Sequence, residues 1–74
     1  MRDRTVQEII FLVEESAEGG FAARALGHSI FTQAETLEDL REAIRDAVRC
    51  HFPDQVARPK VIRLHSVRDE DIAV

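Results

Sequence analysis

The stretch Thr5-Val6-Gln7-Glu8-Ile9-Ile10-Phe11-Leu12-Val13-Glu14-Glu15 constrains the fold more than any other part of the chain. β-branched and aromatic residues fill its centre, which predicts a strand of roughly nine residues, about 30 Å long. Successive strand side chains alternate, so Ile9, Phe11 and Val13 share one face while Ile10 and Leu12 occupy the other. A strand apolar on both faces needs cover on both. One cover is the chain's own helix, and the other is a second subunit or a sheet edge. Ile9, Ile10, Phe11, Leu12 and Val13 are therefore the residues expected to support self-association.

Working outward, Glu18-Gly19-Gly20 is a turn signal, because glycine supplies positive φ without steric cost. Phe21 to Leu26 then reads as a second strand, antiparallel to the first. Its alanines, Ala22, Ala23 and Ala25, are poor strand formers alone but allow close approach of a helix or a second chain. Gly27 and His28 make another tight connection, and Ser29 to Gln33 gives a short third strand. Thr36 is a good helix N-cap, with Asp39 three residues on as a weaker capping-box partner. Leu37, Leu40, Ile44, Ala47, Val48 and His51 recur at helical spacing as one apolar stripe. Glu38, Glu42 and Asp46 alternate with Arg41, Arg45 and Arg49 on the solvent side, where such pairs contribute a few tenths of a kcal/mol each. Phe52-Pro53 ends the helix, since the residue before proline is pushed out of α geometry. Pro59 to Val67 reads as the last strand, with Ile62 and Leu64 on its core face, followed by the charged tail from Arg68. The expected fold class is α+β, ordered β-β-β-α-β: a three-stranded antiparallel meander plus one helix and a final strand.

The 74 residues are 45 % hydrophobic and 32 % charged, the composition of one folded domain. So small a core leaves a thin stability margin, which disulfides, metals or oligomerisation commonly supplement. The lone Cys50 excludes an intrachain disulfide, so self-association, as a homodimer or higher homo-oligomer, is the expected remedy. A net charge of −4, from 14 acidic and 10 basic side chains, disfavours non-specific nucleic-acid binding and weakly favours a basic partner. No apolar run is long enough to span a bilayer and no signal peptide is evident, so no membrane partner and a cytoplasmic location are expected.

No residue set commits the chain to catalysis. Cys50 and His51 are adjacent on a helix, so their side chains diverge by about 100° and do not readily serve one ion or one nucleophile–base pair. Packing is the simpler role for both, and no metal or cofactor is expected. Glu14, Glu15, Glu18 and Asp39 suit solubility and capping better than a magnesium site. Gly19-Gly20 lacks the lysine and hydroxyl of a phosphate loop. Arg58, Lys60, Arg63 and Arg68 form a modest basic stripe without aromatic interleaving.

Two stretches carry a family resemblance: Glu18-Gly19-Gly20-Phe21-Ala22-Ala23-Arg24-Ala25-Leu26-Gly27 and Thr32-Gln33-Ala34-Glu35-Thr36-Leu37-Glu38-Asp39-Leu40. Over about residues 5 to 52, and more loosely in the last strand, the chain resembles the N-terminal domain of HicB-type antitoxins. The resemblance implies a partial, degenerate ribonuclease-H-like fold without catalytic carboxylates. It also implies a non-catalytic protein-binding domain that neutralises HicA, a small basic RNase toxin, by covering its active-site region; an orphan relative without a toxin is the variant of that role. Glu14, Glu15 and Glu18 are the expected partner-facing charges. Family members add a C-terminal DNA-binding segment, whereas residues 1–74 are expected to form a single domain without one. The alternatives are a vestigial metal-dependent nuclease using Glu14 and Asp39, or a nucleic-acid-binding module on the basic stripe.

Overall fold

The computed structural model describes residues 8–74, so Thr5, Val6 and Gln7 of the expected first strand lie outside the described residues. Its elements are β1 (Glu8–Glu15), β2 (Phe21–Ala25), β3 (Phe31–Ala34), α1 (Leu37–His51) and β4 (Val61–Val67), an α+β arrangement in the expected order. The sheet runs β3-β2-β1-β4. β1–β2 and β2–β3 pair antiparallel, which makes the meander. β4 pairs with β1 in parallel, with Ile9 opposite Ile62 and Phe11 opposite Leu64. Strands β3 and β4 thus form the two edges, and α1 carries the chain from one to the other.

The alternation in β1 sets the core. Ile9, Phe11 and Val13 are buried, together with Ala23, Ala25 and Ile30 from the β2–β3 hairpin and Leu40, Ile44 and Val48 from the helix. Phe11 and Leu40 are wholly inaccessible to solvent. The alanines of β2 let the helix sit close, because α1 packs against β3 and β2. The buried stripe is shorter than its spacing suggests: Leu37 and His51, at the two ends of the helix, are exposed.

The helix begins as expected, with the Asp39 N–H donating to Thr36 Oγ1 at 3.0 Å. Its solvent face carries the ion pairs Glu42–Arg45 and Asp46–Arg49, both three residues apart. At its far end the Phe52 N–H donates to the Val48 carbonyl at 2.9 Å. Beyond it, the Asp54 carboxylate and carbonyl accept from the N–H groups of Val56, Ala57 and Arg58, folding the linker into a tight turn.

The turn between β1 and β2 closes with the Ser16 N–H on the Gly20 carbonyl at 2.9 Å and the Gly19 N–H on the Ser16 carbonyl at 3.1 Å. Both glycines have positive φ, but only Gly20 is also crowded. A Cβ there would lie 2.9 Å from the Ala34 carbonyl oxygen, a backbone atom of β3, whereas one at Gly19 would meet nothing within 4 Å. Gly20→Ala is therefore expected to destabilise by about 1–3 kcal/mol, and Gly19→Ala by about 1 kcal/mol. Urea denaturation of the two variants should reproduce that order.

Candidate functional site

One helix covers one face of the sheet, and the register identifies what remains on the other. Ile10 stands opposite Arg63, and Leu12 lies between His65 on β4 and Arg24 on β2. Arg24 in turn pairs with Phe31, which is 64 % exposed. Ile10 and Leu12 are half-buried although no helix among the described residues lies over them. The aliphatic stems of flanking arginines can shield such residues while the charged ends stay in water. Of the five residues expected to support self-association, Ile9, Phe11 and Val13 are enclosed in the chain's own core, and only Ile10 and Leu12 face outward. Arg63 is fixed on this face by an ion pair with Glu8.

The expected partner-facing acids gather at one corner. Glu14 and Glu15 end β1, and the parallel pairing of β4 brings Val67, Arg68 and Asp69 beside them. Together they line a shallow depression of 330 Å³. Glu18 lies outside that lining, in the adjoining turn, where its N–H donates to Ser16 Oγ at 3.3 Å. Asp69 is the acid missed in the sequence, because only the parallel β1–β4 pairing brings it to Glu14 and Glu15.

A second concavity, of 480 Å³, lies between α1 and β4 on the helix-bearing face. The helix leans toward β2 and β3, which leaves Ile62 and Leu64 half-buried as part of its floor. Ile44 and Val48 complete the floor, and Arg41, Arg45, Arg49, Arg58 and Lys60 form the rim.

The basic stripe does not survive as a unit. Arg58 turns back to close the helix, with Nε donating to the Phe52 carbonyl at 3.0 Å and Nη2 to the Pro53 carbonyl at 3.3 Å. Lys60 lines the same groove as Arg58, whereas Arg63 lies on the opposite sheet face and Arg68 at the acidic corner. Cys50 is an exposed free thiol rather than a packed one. His51 stacks edge-on with Phe52 and His28, at ring-centroid distances of 4.8 and 5.9 Å. Among the described residues, no group of three or more His, Cys, Asp or Glu is placed to hold a metal ion. No described helix is long and apolar enough to cross a membrane.

The fold and these surfaces define a small α+β domain with one open sheet face and two charged recesses. A UPF0150 protein of Archaeoglobus fulgidus is 55 % identical over 60 residues, covering 81 % of this chain and 88 % of its own length. A UPF0150 protein of Thermotoga maritima is 44 % identical over 70 residues, covering 95 % and 97 %. The chain belongs to the UPF0150 family. No family model matches the chain. No solved structure matches it either.

Arg58 and Arg63 separate structural from surface roles. Arg58→Ala leaves two carbonyls at the helix end without their donor and is expected to cost about 1–2 kcal/mol. Arg63→Ala breaks a solvent-exposed ion pair and uncovers part of Ile10, and should cost about 1 kcal/mol or less. Thermal or urea unfolding of the pair checks the difference.

Proposed function

We propose that the chain is a non-catalytic protein-binding domain of the HicB antitoxin kind, which holds a small basic partner, a HicA-like RNase, at its acidic corner. The observation that carries this reading is the meeting of Glu14 and Glu15 with Asp69 at one end of β1 and β4. Carboxylates on a shallow surface steer a basic partner and set its register more than they add to affinity. The half-buried Ile10 and Leu12 supply the adjoining apolar surface, where self-association also takes place. An apolar centre with a polar surround is the usual layout of an interface.

The test is titration of a basic HicA-like RNase into the full chain, followed by calorimetry and by protection of RNA from cleavage. Glu14→Lys/Glu15→Lys is expected to weaken binding at least about tenfold, a loss of roughly 1.4 kcal/mol. Binding by the native chain should also weaken as salt is raised, because exposed charges are screened. Undiminished binding by the double variant would remove the corner from the interface. Metal-dependent RNA cleavage by the chain alone would overturn the non-catalytic assignment.

A further inference from the structure

The groove between α1 and β4 contradicts the overall charge of the chain. The net charge is −4, yet every charged residue that lines this groove is cationic. Arg45 and Arg49 are partly neutralised by Glu42 and Asp46, and Arg58 is engaged with carbonyls. Arg41 and Lys60 are exposed and have no ion-pair partner among the described residues. Beneath this rim, Ile62 and Leu64 remain only half-buried. An occupant matching both features is acidic at one end and aliphatic at the other. The lining holds no aromatic side chain on which a nucleic-acid base could stack.

The chain itself carries a segment of that composition. After β4 comes Asp69-Glu70-Asp71-Ile72-Ala73-Val74, three carboxylates followed by three apolar residues. Ile72 is 79 % exposed, and Val74 is exposed as well, so neither rests in the groove of its own molecule. The tail leaves from the C-terminal end of β4, whereas Lys60 and Ile62 lie at the strand's beginning, with the length of β4 between them. A tail that continues away from the strand reaches a neighbouring molecule without the reversal that its own groove requires.

We propose that the α1–β4 groove receives the tail Glu70–Val74 of a second copy of this chain. Glu70 and Asp71 pair with Arg41 and Lys60 at the rim, and Ile72 and Val74 cover the floor at Ile62 and Leu64. Exchange in both directions gives a symmetric pair, each groove completed by its partner's tail. This assembly uses neither the carboxylates of the acidic corner nor the open sheet face, although its tail starts from Asp69 beside that corner.

Two charge reversals in the full chain test it. Arg41→Glu/Lys60→Glu makes a groove that repels the native tail, and Glu70→Arg/Asp71→Arg makes a tail that repels the native groove. All four positions are exposed, and circular dichroism verifies that each variant is folded. By light scattering, each variant alone is expected to show half the mass of the native assembly. An equimolar mixture should recover the native mass, because every groove then has an oppositely charged tail available. Native mass in either variant alone overturns tail exchange while leaving association through Ile10 and Leu12 standing. Failure of the mixture to recover overturns it too. So does a short single-stranded RNA that binds the native groove at physiological salt and loses binding in the Arg41/Lys60 variant.

Discussion

A single helix about 10 Å across lies over four strands whose axes, spaced by about 4.8 Å, span roughly 14 Å. The helix must therefore choose part of the sheet. It packs against β3 and β2, where the small Ala23 and Ala25 leave room, and Phe11, Leu40 and Ile44 are almost wholly buried. The other surface features follow from that choice. The β4 side of the same face becomes a groove, and the far face of the sheet has no helical cover among the described residues. Full burial of an isoleucine or leucine contributes about 1.5–3 kcal/mol, so each of Ile10, Leu12, Ile62 and Leu64, being only partly buried, forgoes a fraction of that.

Much of the frame was legible in the sequence because it rests on local chemistry. The Ile9–Phe11–Val13 alternation, the Gly19-Gly20 turn and the Thr36 cap each act within a few residues, and each occupies its expected place. Some boundaries shifted. The third strand begins at Phe31 instead of Ser29, with Ile30 buried just ahead of it and its carbonyl accepting from the Ala25 N–H. The fourth begins at Val61 instead of Pro59, since Arg58, Pro59 and Lys60 finish the turn that follows the helix. His51 and Leu37 satisfy the helical period yet are exposed at the two ends of the helix.

The surfaces were less legible, because they are made by long-range pairing. Nothing local indicates that the last strand lies parallel to the first, and that pairing places Asp69 beside Glu14 and Glu15. The same topology divides Arg58, Lys60, Arg63 and Arg68, which read as one stripe, among a groove that takes the first two, a sheet face and an acidic corner. Conversely, Arg41, Arg45 and Arg49 read as a solvated helix face, and only the position of β4 turns them into one wall of a recess. Net charge was a poor guide for the same reason, since it averages over faces that a partner meets one at a time.

β4 links the two recesses. The acidic corner lies at its C-terminal end and the cationic groove along its beginning, and the tail that complements the groove starts from the corner. Asp69 is at once a wall of the corner and the root of that tail. Residues 70–74 drawn toward a neighbouring molecule would therefore leave Glu14 and Glu15 in place while changing the path of the chain beside them. A basic partner seated at the corner would in turn restrict that path. Self-assembly and partner binding would then be coupled through one residue of backbone, with each adjusting the affinity of the other reciprocally, as linkage requires of any two binding events that share a structural element.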